Sequence, residues 1–591
     1  MQYQRLVQAY EEISATTRRT EMAAVLVGLL RETPPSLVHQ MVYLTQGKLY
    51  PEFVPVEMGM AERLALRAVA EASGYAEEEV QASLASTGDL GATAQDLLER
   101  ARGHGDTGTE GEPPRLSIEE VYQRLDAIAR ASGAGSVGEK TRLLAELLSQ
   151  ATPVEAKYLI RTATGKLRLG LADMTLLDAL AIAYGGGKGA RPILERAYNL
   201  ISDLGAVATA VATGGLDAVK AFSIQPGKPI RSMLAQRLPS PEAILNKLGG
   251  RCRAEYKYDG ERVQIHKMGQ RVILFSRRLE DISHQYPDAV QWVLEGVKAE
   301  KVILDSEAVA LDPDTGELLP FQQLMHRRRK YEVAEKATQY PVFVYPFDLL
   351  YRDGVDFTAH PLPERRKALE ESLHPSHGLQ PMPGMVVDRV EDLNVLFQEA
   401  LDAGCEGLVC KSLKPDSVYQ AGSRGWNWIK YKREYVSEMT DTVDLVVVGA
   451  LHGRGKRAGS YGSLLLSVYD PKTDSFPTVT KAGTGFTDQD LAELPRRLEP
   501  YRLDHPHPRV DARMKPDVWF TPALVIEVLG AEITLSPIHT ADWGVEKTER
   551  GLAIRFPRFT GRYRPDKAPE NATTAAEILQ MYRARVKKVK S

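Results

Sequence analysis

The feature that most constrains the fold of this chain is the octet from Glu255 to Arg262, in which a lysine closely precedes a tight-turn dipeptide. The dipeptide is Asp259-Gly260, a pair that favours turns because glycine lacks a Cβ and aspartate bonds to nearby backbone. It separates two stretches with strand-like alternation, Arg253 to Lys257 and Arg262 to His266. The pattern predicts that Lys257 is held rigidly where a strand meets a loop.

The octet contains the pattern K-x-D-G-x-R, which occurs in enzymes that carry a nucleoside monophosphate on a lysine. A lysine amine attacks the α-phosphorus of a nucleotide only when it is deprotonated, so it needs neighbouring cations or a site out of water. Taken alone, these residues are equally consistent with an ordinary hairpin turn and a solvated lysine at a strand end. The rest of the chain decides between the two interpretations.

The length of 591 residues predicts two to four domains, because single cores stop growing well below that size. The composition, with 43% hydrophobic and 26% charged residues, is typical of a soluble globular protein. No apolar run approaches the roughly 20 residues of a membrane span, and the N-terminus lacks the pattern of a secretory signal. Three cysteines in so long a chain indicate a reducing, cytoplasmic compartment and argue against a zinc cluster.

The formal net charge of −3 does not by itself indicate a nucleic-acid partner. The chain nevertheless contains two basic runs, Arg327 to Lys330 and Arg583 to Lys590. A run of like charges is more often a solvated face than a binding site, so we expect exposed surface at both and assign no function to them.

Hydrophobic periodicity predicts three regions of different texture. Residues 1–215 are expected to be helical, with one helix over Glu57 to Ala72 and another that begins at a capping box at Ser117. Residues 216–434 are expected to form an α+β domain, with a helical pattern over Val386 to Leu401. Residues 435–591 contain about five short strands, which suggests a β-barrel of the OB type, followed by a basic helix over Thr574 to Lys590.

Several clusters downstream of Lys257 match the needs of nucleotidyl transfer. Carboxylates at Glu307 and Glu406 are suitable ligands for Mg²⁺, a hard cation that sits beside phosphates. Strand alternation places Lys430 and Lys432 on one face, where both ammonium groups can stabilise charge on an α-phosphate. Each residue also has an ordinary explanation: Glu307 as a surface carboxylate, Phe347 as a core aromatic, and Lys430 and Lys432 as a solvated strand face. The ordered occurrence of all these clusters makes the ordinary explanations improbable together.

The chain therefore resembles the ATP-dependent DNA ligases, specifically the archaeal-type and replicative enzymes with an N-terminal helical DNA-binding domain. The resemblance covers nearly the whole chain. The segments that carry it, besides the octet and its downstream clusters, are Thr164 to Gly170, Pro226 to Ala235, and Arg555 to Phe559 with Arg562 and Asp566-Lys567. It implies a multidomain fold: an all-α DNA-binding domain (1–215), an α+β nucleotidyltransferase or adenylation domain (216–434) and an OB-fold domain (435–591).

The resemblance also implies a role for each matching residue. Lys257 would be the adenylated nucleophile, Glu255 would accept from the adenine amino group and Phe347 would stack on the ring. The remaining AMP or ATP contacts would be Arg262, Arg277, Glu307, Arg424, Lys430 and Lys432. Metal would bind Glu307 and Glu406, pyrophosphate would be oriented by Arg555, Arg558 and Lys567, and DNA phosphates would contact Lys166 and Arg168, with help from backbone amides around Gly165.

The implied function is the sealing of 5′-phosphate/3′-hydroxyl nicks in duplex DNA through a lysine–AMP intermediate, in replication, repair and recombination. The implied cofactors are ATP and Mg²⁺, with Mn²⁺ as an alternative metal. We expect a monomer that acts on nicked duplex DNA in the cytoplasm, associated with the nucleoid. Recruitment by a sliding clamp is in doubt, because the segment from Gly103 to Pro114, where related enzymes carry a clamp-binding peptide, has no aromatic residue.

Three other functions share part of this pattern. An mRNA capping guanylyltransferase or an RNA ligase shares K-x-D-G and the barrel, but is not expected to carry some 200 residues of helical domain. A catalytically silent DNA-binding scaffold is disfavoured by the intact Lys257, Glu307, Glu406 and Lys430. An NAD-dependent ligase is disfavoured because the chain has no cysteine-rich zinc module.

Overall fold

The structure is a computed structural model of the chain. The residues that it describes are 1–103, 116–311, 318–319, 324, 327, 333–374, 378–432, 442–453, 459–530, 532–546, 549–555 and 557–590. The chain divides into two compact units, one of residues 1–81 and 90–433 and one of residues 82–89 and 434–591. Within the described ranges, each helix is too short or too polar to cross a bilayer. The domain boundaries at residues 215 and 434 stay predictions. In the segment from Gly103 to Pro114, where a clamp-binding peptide is in doubt, the residues after Gly103 lie outside the described part of the chain.

The N-terminal region is helical, as the sequence predicts. Its helices are α1 (Tyr3–Ser14), α2 (Arg19–Glu32), α3 (Val38–Thr45), α4 (Glu62–Ser73), α5 (Glu77–Thr87), α6 (Leu90–Gly103), α7 (Ile118–Arg130), α8 (Ser136–Gln150), α9 (Pro153–Ala163), α10 (Asp173–Tyr184), α11 (Arg191–Ile201) and α12 (Leu204–Lys220). The capping box is confirmed, because the Ser117 hydroxyl accepts from the Glu120 amide and the Glu120 carboxylate accepts from the Ser117 amide. Helix α4 begins at Glu62 rather than at Glu57, since Gly59 has a φ of 57°, which no right-handed helix accommodates.

Two five-stranded sheets form the core of the middle region. The strands are β1 (Leu234–Arg237), β2 (Cys252–Lys257), β3 (Glu261–Met268), β4 (Arg271–Ser276), β5 (Lys301–Ala310), β6 (Val342–Arg352), β7 (Val355–Asp356), β8 (Gly384–Val387), β9 (Gly407–Ser412) and β10 (Arg424–Lys432). One sheet has the order β1-β10-β9-β2-β8 and the other the order β4-β3-β5-β6-β7.

The described helices of this region are α13 (Pro241–Leu248), α14 (Pro287–Gly296), α15 (Val333–Gln339), α16 (Leu362–Ser372) and α17 (Val390–Asp402). The helix predicted over Val386 to Leu401 is therefore wrong at its start. Val386 belongs to β8, because this edge strand pairs with β2, with Val386 opposite Arg253.

The turn after Lys257 is a crossing between the two sheets and not a hairpin. Strand β2, which ends at Lys257, lies in one sheet, and β3, which begins at Glu261, lies in the other. Gly260 has no positive φ, so left-handed backbone does not explain the glycine. A Cβ at this position would lie 2.4 Å from the carbonyl oxygen of Ala308, and close packing of the crossing against β5 thus requires glycine.

One face of β3 anchors the chain segment that leads into β1, which we name the junction segment (residues 226–233). Gln264 accepts a hydrogen bond from the Ile230 amide at 2.7 Å and donates to the Ile230 carbonyl at 2.9 Å. His266 accepts from the Gly227 amide at Nδ1, at 2.9 Å, and its Nε2 lies 2.8 Å from the Gln264 side-chain oxygen. The histidine is therefore the neutral tautomer with its proton on Nε2.

A buried arginine corrects one expectation about the basic runs. Arg327 donates to both carboxylate oxygens of Asp288, at 2.7 and 2.6 Å, and its guanidinium carbon lies 4.9 Å from the Tyr286 ring centre. The expectation of a solvated face is wrong at Arg327, because a carboxylate and an aromatic ring compensate its burial. Residues 328–330 lie outside the described part of the chain.

The C-terminal unit contains a curled, OB-like β-sheet. Its strands are β11 (Val443–His452), β12 (Tyr461–Ser467), β13 (Phe476–Ala482), β14 (Arg502–Leu503), β15 (Val510–Asp511), β16 (Val518–Phe520), β17 (Val525–Leu529), β18 (Glu532–Ser536), β19 (Gly551–Arg555) and β20 (Arg558–Tyr563). Its helices are α18 (Asp488–Leu498) and α19 (Ala575–Lys590). The expectation of about five strands is too low for the described residues. Strands β14, β15 and β16 have two or three residues each and give no periodic signal, and β18, β19 and β20 were also not predicted.

The buried His266 predicts a specific loss of stability in acid. Burial lowers the pKa of His266 from 6.5 to about 3, so below pH 6.5 the unfolded chain binds a proton that the folded chain does not. The free energy of unfolding should therefore fall as the pH falls from 6.5 towards 3, by at most about 1.4 kcal/mol per pH unit for this group. His266→Asn keeps an acceptor near Nδ1 but does not titrate. In denaturant unfolding, the stability advantage of the wild type over this variant should shrink between pH 6.5 and 5, and a constant difference would contradict the assignment.

Candidate active site

A cavity of about 520 Å³ lies where the two sheets of the middle region meet. Ten residues that the sequence singles out line it: Glu255, Lys257, Arg262, Arg277, Glu307, Phe347, Glu406, Arg424, Lys430 and Lys432. They come from strands of both sheets, and the crossing after Lys257 is what brings the two sets together. The volume is within the range of sites that bind small molecules.

Lys257 lies at the end of β2, and its ammonium group forms an ion pair with the Glu406 carboxylate. The Lys432 Nζ lies 2.8 Å from the same Glu406 oxygen, so one carboxylate sits between two lysines. Burial tends to raise the pKa of Glu406, but the charges and hydrogen bonds of Lys257 and Lys432 outweigh it and hold that pKa below its ordinary value. Glu406 is therefore a carboxylate anion that keeps both amines in place.

Glu307 is the second acidic group of the cavity. It lies on β5, directly opposite Arg262 on β3. Burial raises the pKa of the Glu307 carboxyl to about 7, although the charges of Lys257 and Arg262 act in the opposite direction. A carboxyl group that is costly to ionise in the protein alone gains most from a cation brought in by a ligand.

The two carboxylates fit a divalent cation that arrives with phosphates. Glu307 and Glu406 offer hard oxygen ligands in one cavity, and no cluster of three acidic, histidine or cysteine ligands occurs among the described residues. Mg²⁺ is usually held by one or two carboxylates plus substrate phosphates and water, rather than by a complete protein cage. The donor set present here suits that mode of binding.

Cations form another part of the cavity wall. Lys430 and Lys432 occupy alternate positions of β10 and both line the cavity, as strand alternation predicts. Burial, together with the charges of Lys432, Lys257 and Arg424, lowers the pKa of Lys430. Arg277 joins this wall from the end of β4. Such a concentration of positive charge in a partly enclosed site is suited to a polyanion.

Glu255 is surrounded by basic side chains. Its carboxylate is 1% exposed and pairs with Lys411 at 2.6 Å, Arg253 at 3.0 Å and Arg366 at 3.5 Å. The Lys411 Nζ also donates to the carbonyl oxygen of Phe347 at 2.9 Å. Burial lowers the pKa of Lys411, and the neighbouring Glu255 charge only partly offsets this. Lys411 therefore holds two cavity residues in place, Glu255 through its carboxylate and Phe347 through its backbone carbonyl.

Phe347 stands in an aromatic and cationic corner of the cavity. Its ring meets Trp428 edge to face at a centroid distance of 5.8 Å. The Arg262 guanidinium carbon lies 5.4 Å from the Phe347 ring centre, and the Lys411 Nζ lies 4.8 Å from it. The ring is thus held in place and borders the cavity, which is the arrangement needed to stack on a planar base.

Arg262 is committed to protein partners. Its guanidinium donates to both oxygens of the fully buried Asp305, at 2.9 and 2.6 Å, and to the Met233 carbonyl at 2.8 Å. The Tyr419 hydroxyl donates to Asp305 at 2.7 Å and accepts from the Met233 amide at 3.0 Å. The network fixes the end of the junction segment, which leads directly into the cavity residues Leu234 and Ala235.

Three residues important to this geometry were not assigned a role from sequence: Lys411, Asp305 and Tyr419. Lys411 and Asp305 lie in segments that already stood out, Glu406 to Lys411 and Leu304 to Glu307. A charged residue in an otherwise apolar strand is a signal of buried ion pairing. Their partners are distant in the chain, so no spacing pattern could have identified them.

The two predicted DNA contacts follow helix α9. Lys166 forms an ion pair with Glu62, and both side chains are about half exposed. Arg168 lies in the loop after helix α9 and has a φ of 59°. The Gly165 and Lys166 amides donate to the Thr162 and Arg161 carbonyls, the pattern of a Schellman cap. The expectation that backbone amides at Gly165 bind DNA phosphate is therefore wrong for these two groups.

The predicted C-terminal motif lies on two strands that follow one another in the chain, β19 and β20, and on the segment after them. Arg555 ends β19, Arg558 begins β20 and both side chains are exposed. The Lys567 Nζ lies 2.5 Å from an oxygen of Asp444, which also pairs with Arg564 at 2.8 Å. Both arginine side chains are thus accessible, and Lys567 has a protein partner.

Comparison with known families supports the same assignment over three separate ranges. A family model described as "DNA ligase N terminus" matches residues 2–181. One described as "ATP dependent DNA ligase domain" matches residues 232–432, and one described as "ATP dependent DNA ligase C terminal region" matches residues 457–567.

Curated relatives match over the full length. The chain is 53% identical to a DNA ligase 2 of Thermofilum pendens over 99% of this chain and 98% of the relative. It is 50% identical to a probable DNA ligase of Aquifex aeolicus over 99% of this chain and 98% of the relative. A solved structure named Pmar-Lig_PreS3 shares the fold, with a TM-score of 0.54 and 15% identity over 95% of this chain and 99% of that one. The chain belongs to the ATP-dependent DNA ligases.

Proposed function

We propose that Lys257 is the residue of this DNA ligase that carries AMP. The observation that supports this most strongly is the position of its amine, at the end of β2 in a cavity that also contains Glu406, Glu307 and a wall of cations. In the first step Nζ attacks the α-phosphorus of ATP, the bond to the pyrophosphate oxygen breaks and pyrophosphate leaves. The AMP then passes to the 5′-phosphate of a nick, and the 3′-hydroxyl displaces AMP to close the strand.

The residues around Lys257 supply position and charge for these steps. Lys430, Lys432 and Arg424 face the cavity and compensate the negative charge that builds up on the phosphate. Glu406 holds the Lys257 amine through an ion pair, so the amine must leave that pair and lose a proton before it attacks. Phosphoryl transfer asks the protein mainly for such positioning and electrostatic stabilisation.

We assign the metal site to Glu307 and Glu406, with Mg²⁺ as the expected ion and Mn²⁺ as an alternative. A divalent cation bound there would neutralise phosphate charge and orient the leaving pyrophosphate. Glu307, with a pKa raised to about 7 by burial, becomes a stronger ligand once a cation favours its ionised form. Glu406 would exchange one of its lysine partners for the metal.

The test of the nucleophile is Lys257→Ala. The variant should form no covalent adduct with α-labelled ATP, because the attacking nitrogen is absent, and it should keep the wild-type melting temperature because the side chain lies in a cavity. Lys298→Ala, which removes an exposed lysine of the same region, is the matched control and should label normally. Retained labelling of Lys257→Ala, with the adduct mapped to another lysine, would exclude the assignment.

Selection of the base is proposed to rest on Glu255 and Phe347. A carboxylate accepts a hydrogen bond from the adenine amino group but faces the guanine carbonyl as a second acceptor. The three basic partners of Glu255 hold its carboxylate in place, so it cannot turn away from an unsuitable base. The Phe347 ring, packed against Trp428, supplies the stacking surface.

This selection predicts that ATP is preferred over GTP by at least about tenfold in adduct formation, since an unpaired buried acceptor costs about 1–3 kcal/mol. Glu255→Gln should reduce the preference, because an amide can both accept from adenine and donate to guanine. Initial labelling rates with the two nucleotides, in wild type and variant, measure this. Equal labelling of the wild-type enzyme by ATP and GTP would contradict the role of Glu255.

Nicked duplex DNA is proposed to bind the helical region through its phosphates, with Lys166 and Arg168 among the contacts. The Lys166–Glu62 ion pair is half exposed, so a phosphate can replace the glutamate at little cost. Contacts of this kind position the duplex without reading its sequence, as a ligase in replication, repair and recombination requires. A Lys166→Ala, Arg168→Ala double variant should bind nicks more weakly and with a smaller salt dependence.

We expect the enzyme to act as a monomer.

The exposed residues Arg555 and Arg558 are proposed to orient pyrophosphate in the first step, with Lys567 as a further contact. If so, Arg558→Ala should form the lysine adduct at least tenfold more slowly, because bidentate contacts to the leaving group are lost. It should still seal a nick that already carries 5′-linked AMP at a near-normal rate. Single-turnover assays of both steps separate this from a plain DNA contact, for which adduct formation would be normal and sealing slow.

A further inference from the structure

The helical region and the nucleotide cavity are joined by a small set of contacts centred on Arg231, in the middle of the junction segment. The Arg231 guanidinium donates to the Asp173 carboxylate at 3.0 Å and also bonds to the Tyr198 hydroxyl. Its carbon lies 4.0 Å from the centre of the Tyr198 ring. The Tyr198 hydroxyl in turn donates to Asp173 at 2.7 Å. Arginine, tyrosine and aspartate therefore form a closed triangle.

Backbone contacts reinforce the triangle on the same side. The Arg231 amide donates to the carbonyl of Asn199, on α11, at 2.8 Å, and the Arg231 carbonyl accepts from Gly422 at 2.9 Å. Gly422 has a φ of 69°, and a Cβ there would lie 2.4 Å from the Asn199 side-chain oxygen. Helix α11 thus packs directly against two chain segments that enter the cavity shortly afterwards, at Leu234 and at Arg424.

The opposite side of the junction segment is fastened to β3. Gln264 and His266 bond to the backbone at Ile230 and Gly227, and Arg262 bonds to the Met233 carbonyl. These contacts do not involve the Arg231 side chain. The junction segment is therefore bound twice, by β3 through its main chain and by α10 and α11 through Arg231.

From this geometry we propose that Arg231 is a positioning residue for the DNA steps of the reaction. By tying α10 and α11 to the segment that enters the cavity wall, Arg231, Tyr198 and Asp173 set the angle at which a duplex held by the helical region meets the cavity. Attachment of AMP to Lys257 involves the nucleotide alone and does not need this angle. Transfer of AMP to a nick does, because the 5′-phosphate oxygen must reach the adenylated phosphorus in line with the lysine nitrogen that leaves.

The inference rests on the proposed binding of DNA by the helical region, and the test separates the two. In the full-length chain, Arg231→Ala should attach AMP from ATP within twofold of the wild-type rate, because β3 still holds the junction segment. Transfer of AMP from the adenylated enzyme to a saturating nicked duplex should fall about 10- to 100-fold, the effect of a misplacement of about 1 Å. Arg231→Lys keeps the charge but loses the planar stack on Tyr198, so its rate of AMP transfer should lie between those of the wild type and Arg231→Ala.

Two further variants make the result interpretable. Tyr198→Phe keeps the ring and removes only the hydroxyl that joins Arg231 to Asp173, so it should fold normally and slow AMP transfer several-fold. Arg389→Ala removes an exposed arginine with a local partner, Asp392, and should change neither step. Transfer within twofold of wild type in both Arg231→Ala and Tyr198→Phe would overturn the proposal. A parallel loss in AMP attachment would also overturn it, because Arg231 would then only support the cavity wall. If instead the Lys166, Arg168 double variant binds nicks normally, the proposed DNA contacts fail independently of Arg231.

Discussion

The close contact of Gly260 with the backbone of β5 is the constraint on which the active site depends. The chain leaves one sheet at Lys257 and enters the other at Glu261. This short crossing requires glycine at residue 260, because a Cβ there would clash with the Ala308 carbonyl oxygen. Because of the crossing, the amine of Lys257 lies at the boundary between the sheets. Residues from each sheet can then surround it, Glu406 and Lys430 from one and Glu307 and Phe347 from the other.

Of the carboxylates Glu255, Glu307 and Glu406 in this cavity, two are paired with cations before substrate binds, and further cations remain available for a polyanion. Glu406 lies between Lys257 and Lys432, and Glu255 between Lys411 and two arginines. Glu307 is the exception, since its pKa of about 7 reflects burial that its neighbours only partly offset. An electrostatic field set by the fold in this way requires little rearrangement when phosphate charge develops. The exception is also the carboxylate best placed to gain from a divalent cation.

The sequence predicts the parts of this structure that repeat locally or carry a specific chemistry. The alternation around Lys257 and the capping box at Ser117 follow from spacing and residue type. The grouping of ten cavity residues is expected partly from residue chemistry and, for Glu255, Arg262, Arg277 and Arg424, only from the resemblance to the ATP-dependent DNA ligases. Partnerships across the chain do not follow. The resemblance predicts a nucleotide contact at Arg262, yet Asp305 and Met233 accept hydrogen bonds from three of its donors, and no sequence pattern links these positions. The end of β8 is likewise not predicted, because pairing with β2 and not local propensity makes Val386 a strand residue.

The two attachments of the junction segment differ in a way that bears on how the enzyme combines its functions. Gln264 and His266 bind main-chain groups, so the cavity wall is fixed whatever side chains the segment carries. Attachment to the helical region combines one main-chain bond, from the Arg231 amide to the Asn199 carbonyl, with the Arg231 side chain, which stacks on Tyr198 and pairs with Asp173. The cavity wall is thus supported by the sheet through main-chain groups, whereas the proposed alignment with DNA relies mainly on three side chains. On the proposal made for Arg231, a single substitution should therefore separate the two functions without disturbing the fold that carries the first.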